Sequence, residues 1–131
     1  MDQLNILIFH FNNYSKILSD YLVNLAPKSS IGKYKKIIDM LIRRKSPKLI
    51  ENFIISALVY EDKIMMGDED FFLGKTLENN KNIEDDQMKN IFEFKSIWGL
   101  LDRDTHYTIK SYMKLLCQIA RKYFDTKYKC V

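Results

Sequence analysis

The chain has 131 residues, 47% of them hydrophobic and 29% charged, with four Gly, two Pro, two Cys and a formal net charge of +4. This composition excludes wholesale disorder, a disulfide-stapled scaffold and two domains of ordinary size, and it is enough for one domain with its own core. Charge is sorted into blocks: residues 1–50 hold nine Lys/Arg against three Asp/Glu (+6), 51–104 six against thirteen (−7), and 105–131 six against one (+5). A chain so divided attracts partners or mates with itself.

Leu4, Leu7, Ile8, Phe11, Tyr14, Leu18, Tyr21, Leu22 and Leu25 recur at three- and four-residue steps, which predicts a first helix. The pattern stops before Pro27, whose ring disfavours the helical region for its predecessor. Pro27-Lys28-Ser29-Ser30 reads as a loop with a serine cap, and Tyr34, Ile37, Ile38, Leu41 and Ile42 then mark one face of a second helix. Ser46-Pro47 is a restart signal, with serine as cap and proline at the first helical position. The third helix, 47–66, has only Glu51, Asn52 and Ser56 as polar residues between Leu49 and Tyr60, and a helix apolar almost all round belongs in the middle of a bundle. Gly67 suits its C-terminal position, and Asp68 caps a short fourth helix through Phe71, Phe72 and Leu73.

Asn79-Asn80-Lys81-Asn82 is the clearest loop. Glu84, Asp85 and Asp86 then place acids in the first turn of a fifth helix, where the macrodipole favours them, and Met88, Ile91, Phe92, Ile97, Trp98 and Leu101 form its apolar side. Asp102 or Asp104 caps the last helix, which buries Ile109, Tyr112, Met113, Leu116, Ile119, Ala120 and Tyr123. Residues 126–131 lack a pattern and are expected to fray, leaving 1–125 as the domain. The prediction is an all-α, single-domain bundle of five to six helices with the apolar 47–66 helix central. Leu41, Phe53, Ile54, Leu58, Trp98, Met113, Leu116 and Ile119 are the expected core.

Chemistry is harder to find. His10 and His106 lie far apart, and neither has a His or Cys three or four residues away, so no metal site is expected. Cys117 falls at the edge of an apolar face, as a buried thiol would. Asp68-Glu69-Asp70 lacks the closing Glu of a calcium loop, since residue 79 is Asn79, and each glycine stands alone, so no phosphate loop exists. No catalytic residue, cofactor, metal or small-molecule substrate is expected, and the protein does not read as an enzyme.

Interaction is the better reading. The first expectation is a non-enzymatic protein-interaction or structural subunit, assembling with a partner protein or a second copy through its segregated charges. Phe71 and Phe72 would be its apolar anchors, with Asp68, Asp70, Glu84, Asp85 and Asp86 as its acidic side. The alternative is a nucleic-acid-binding accessory protein, in which Lys33, Lys36, Arg43, Arg44, Lys110, Lys114 and Arg121 form one patch; Lys28, Lys45 and Lys48 add to the same N-terminal cluster. No run reaches the roughly 18 apolar residues of a membrane span. Met1-Asp2-Gln3 lacks a signal peptide's basic start, and with two cysteines the expectation is a reducing, intracellular compartment.

The stretch from Ile97-Trp98-Gly99-Leu100-Leu101 through Asp102-Arg103-Asp104-Thr105 to Ile109, Tyr112, Met113, Leu115 and Leu116 resembles a C-terminal pattern of small, uncharacterised helical proteins of nucleocytoplasmic large DNA viruses. In these a hydrophobic-Trp-x-x-Leu segment leads through an acidic turn into a helix with Ile-x-x-Tyr and a Leu pair. The resemblance covers about residues 91–124. It implies a virion or virus-factory protein of the host cytoplasm, and it brings no catalytic residues.

Overall fold

The computed structural model describes residues 2–27, 31–72 and 98–128. Asp2 opens the first helix, α1 (Gln3–Leu25), by accepting a hydrogen bond from the Leu4 N–H at 3.1 Å. α1 closes just before Pro27, where the Ala26 N–H donates to the Leu22 carbonyl at 3.0 Å. Leu7, Phe11 and Leu18 form its buried stripe, and two polar residues are buried with them. Ser19 donates to its own helix, at the Lys16 carbonyl, whereas Asn12 Nδ2 reaches the Ser46 carbonyl at 3.2 Å and fixes α1 to a distant turn.

α2 (Ile31–Arg43) runs antiparallel to α1. Between them Lys35 Nζ lies 2.9 Å from Asp20 and 2.6 Å from Asp39, and Lys16 lies 3.5 Å from Asp20 and 3.9 Å from Asp39. The Lys35 hydrogen bond is the main cause of an Asp20 carboxyl held below its ordinary range, and Asp39 and Asp20 together raise Lys35. α2 ends with Lys45 in the left-handed region (φ 52°), and the Ser46 N–H returns to the Leu41 carbonyl at 3.0 Å. Ser46 Oγ then accepts from the Lys48 N–H at 3.1 Å, which starts α3 (Lys48–Ala57).

A 3₁₀ turn (Leu58–Tyr60) follows, then α4 (Glu61–Met66) and α5 (Glu69–Phe72). Gly67 ends α4 at φ 66°, a conformation that penalises any Cβ, and Asp68 caps α5 by accepting from the Phe71 N–H at 3.3 Å. The last helix, α6 (Arg103–Tyr128), begins where Asp102 Oδ1 accepts from the Thr105 N–H at 2.8 Å. Helix makes up 89% of the described residues and no strand occurs among them. The fold is an all-α single-domain bundle.

Its main core joins Leu7, Phe11 and Leu18 of α1 to Ile50, Leu58 and Ile64, and to Leu116, Cys117, Ala120 and Tyr123 of α6. Three expectations change here. The 47–66 segment is neither one helix nor the centre: α1 and α6 hold the axis, and Ile55 (76% exposed) and Val59 (74%) face outward. The 3₁₀ turn explains why the segment still packs. Its three residues per turn add about 60° of rotation over 58–60, bringing Ile64 into the arc buried by Ile50 and Leu58. Of the expected core, Leu58, Trp98 and Leu116 are buried, while Leu41, Phe53, Ile54, Met113 and Ile119 are only partly so. The tail expected to fray from 126 is helical to Tyr128, and Lys127 Nζ lies 3.3 Å from Glu51 of α3. The loops at 28–30 and 79–82 and the fifth helix up to Ile97 lie outside the described residues.

Two substitutions on one helix test this placement. Ile50→Ala empties a fully buried site and should cost about 2–5 kcal/mol in urea unfolding. Ile55→Ala, five residues on but exposed, should stay within about 0.5 kcal/mol of wild type.

Candidate functional site: charged and aromatic surfaces

The acidic middle of the chain meets the basic C-terminal block inside the molecule. Glu61, at the start of α4, receives Arg121 of α6 as a fork: Nε lies 3.2 Å from each carboxylate oxygen and Nη2 lies 2.7 Å from Oε1. Asp125 approaches the same guanidinium at 3.6 Å. One further pair, Glu69 with Lys110, ties α5 to α6.

Around Glu69 lies a second, smaller core of Phe72, Trp98 and Ile109. Trp98 (2% exposed) stacks on Phe72 at 5.4 Å and on His106 at 4.0 Å, and its indole N–H donates to Glu69 Oε2 at 3.1 Å. His106 Nε2 lies 2.7 Å from the Trp98 carbonyl, which can only accept, so Nε2 carries the proton of that bond. The Lys110 ammonium sits 5.9 Å from both the Phe72 and Trp98 ring centres. The Lys110 hydrogen bond, then that of Trp98, holds the Glu69 carboxyl below its ordinary range.

These contacts account for three of the seven residues of the expected interface. Phe72 is buried against Trp98, and Phe71 is half-buried with its ring 5.3 Å from Tyr60, so neither is a solvent-facing anchor. A short helix docked on α6 turns both rings inward. Asp68 serves as a helix cap. The Asp70 side chain and Glu84, Asp85 and Asp86 lie outside the described residues.

The expected seven-residue basic patch is divided as well. Lys110 and Arg121 are engaged by Glu69 and Glu61, and Lys114 lies over Gly67 at the α4–α5 junction. On α2 the Lys33 side chain is outside the described residues, but Lys36, Arg43 and Arg44 are exposed. Arg43, Arg44, Lys45 and Lys48 flank the corner where α2 turns into α3, Lys36 lies two turns back along α2, and none of the five forms an ion pair among the described residues. Lys36 and Arg43 line an open cleft of about 510 Å³ together with Lys16, Asp39 and Ile42. Phe9, 65% exposed, lies one helical turn before Asn12, whose amide holds the Ser46 carbonyl in that corner. Sequence reasoning named the cations of the corner and left Phe9 off the apolar stripe of α1, but gave it no role.

The remaining chemical candidates have structural roles. Burial pushes the Cys117 thiol up, away from reactivity, with Glu61 adding to the effect. Among the described residues no group of three His, Cys, Asp or Glu is placed to hold a metal, and no helix is long and apolar enough to cross a membrane. No family model, curated protein or solved structure matches the chain.

The Glu69 cluster has a definite pH signature. Its carboxyl is depressed in the folded state, so the native chain binds fewer protons than the unfolded one. The resulting stability is present at neutral pH and is lost as pH falls below the ordinary glutamate range. Glu69→Gln should therefore lower the urea midpoint at neutral pH and flatten its decline in acid, followed through the fluorescence of Trp98. An unchanged acid slope would show that Glu69 is not coupled to folding.

Proposed function

We propose that this protein is a non-enzymatic interaction subunit that receives an acidic partner protein on the α2–α3 corner. One observation carries the reading: Lys36, Arg43, Arg44, Lys45 and Lys48 are all exposed and form no ion pair among the described residues, whereas Lys110, Arg121 and Lys127 on α6 are paired within the fold. Such a corner raises the encounter rate with an acidic surface and sets its orientation. Affinity needs an apolar anchor as well, and Phe9 beside the corner supplies one in place of Phe71 and Phe72. The stacking of His106 on Trp98 and the buried Cys117 thiol support a non-catalytic role, since both groups serve packing. The resemblance around Trp98 to helical proteins of large DNA viruses favours a virion or virus-factory setting.

A nucleic-acid partner is the second reading. Exposed Phe9 and His10, with rings 5.6 Å apart, could stack an unpaired base while the corner cations follow its phosphates.

Affinity purification from the native source, with nuclease added, separates the two. Wild type should retain an acidic protein that the Lys36→Glu, Arg43→Glu, Arg44→Glu variant loses, at unchanged helical circular dichroism. Identical recovery by both proteins would sink the corner as an interface. Partners that vanish with nuclease, together with single-strand binding that weakens steeply as salt rises, would favour the second reading.

A further inference from the structure

The outward face of the 48–66 segment has a regular composition. Lys48, Asn52, Ile55, Val59, Asp62 and Met66 are all exposed, and they follow one another at steps of four, three, four, three and four residues. That is the a/d spacing of a helix-pairing seam. Its middle and one end are apolar: Ile55 is 76% exposed, Val59 74% and Met66 78%. Scattered apolar residues on a surface need no explanation, but three large ones on one seam do. The 3₁₀ turn at Leu58–Tyr60 preserves the alignment. An ideal α-helix drifts by about 20° per heptad from such a seam, and the tighter turn adds about 60° in the opposite sense, keeping Asp62 and Met66 on the face.

We propose that this face pairs with the same face of a second copy, antiparallel about a two-fold axis. With Ile55 set against the partner's Val59, symmetry sets Val59 against the partner's Ile55, two apolar contacts at the centre. One step outward, Asn52 meets the partner's Asp62, an amide donor against a carboxylate. At each end Lys48 lies over the partner's Met66, within one turn of that same Asp62. Parallel pairing instead stacks Lys48 on Lys48 and Asp62 on Asp62, so charge selects the antiparallel arrangement. The contact is isologous and closes on itself as a dimer. Three apolar side chains per copy fall short of the roughly 1,200–2,000 Å² of a standard stable interface, so the dimer is weak and dependent on concentration. The inference shares Lys48 with the acidic-partner corner but is separable from that reading, because it does not need Lys36, Arg43 or Arg44.

Sedimentation equilibrium over roughly micromolar to millimolar chain concentrations tests it. Wild type should pass from monomer to dimer, and the Ile55→Asp, Val59→Asp variant should remain monomeric with unchanged circular dichroism. Asp62→Lys alone should weaken the dimer at least tenfold, and the Lys48→Glu, Asp62→Lys double variant should restore it. A wild type that stays monomeric overturns the proposal, as does a dimer indifferent to Ile55→Asp, Val59→Asp. Failure of the double variant to rescue overturns the antiparallel register. The Lys36→Glu, Arg43→Glu, Arg44→Glu variant should dimerise normally, so a failure here and a failure of the acidic-partner reading give different results.

Discussion

The packing of α1 against α6 is the contact on which the rest of the bundle depends. Leu7, Phe11 and Leu18 on one helix share a core with Leu116, Cys117, Ala120 and Tyr123 on the other. At 1.5 Å per residue the two helices span about 35 and 39 Å, and no other described element approaches that length. Ala120, completely buried, offers little side-chain bulk where the helices meet, and the larger apolar groups fill the space around it. The shorter elements attach to this pair. α2 is held to α1 by the Lys16, Asp20, Lys35 and Asp39 group, while α3 packs on both long helices and α4 on α6, adding Ile50 and Ile64 to the shared core.

Fixing α6 in this way decides where charge ends up. Its cations Arg121 and Lys110 point at the segment after the 3₁₀ turn, and Glu61 and Glu69 are there to receive them. Two of the three charge blocks therefore meet within one molecule. Partly exposed pairs of this kind add little stability each. They do, however, specify how α4 and α5 lie on α6. At the α2–α3 corner the exposed cations of the N-terminal block form no ion pair among the described residues.

The bundle then offers two surfaces of different chemistry, adjoining at Lys48. One is the exposed cationic corner; the other is the apolar seam, with opposite charges near its ends. In an antiparallel pair the two cationic corners lie at opposite ends of the dimer.

Local signals in the sequence were read well. Ser46, Asp68 and Asp102 each accept a bond from a backbone N–H two or three residues on, and Gly67 ends its helix in the left-handed region, as expected, while the Asp2 cap went unread. Such bonds join near neighbours, so a one-dimensional reading can see them. Periodicity likewise identified the helices and the all-α class. It did not show that 48–66 breaks at Leu58, because apolar residues on every side of a segment leave its buried face undefined. Nor did it show that Phe71 and Phe72 turn inward, or that Lys110 and Arg121 are engaged by carboxylates 41 and 60 residues away. The sequence by itself determined the elements, their caps and the sum of the charges. Only the tertiary structure decided which apolar residues stay wet and which charges stay unpaired, because both follow from the neighbours that the α1–α6 contact brings within reach.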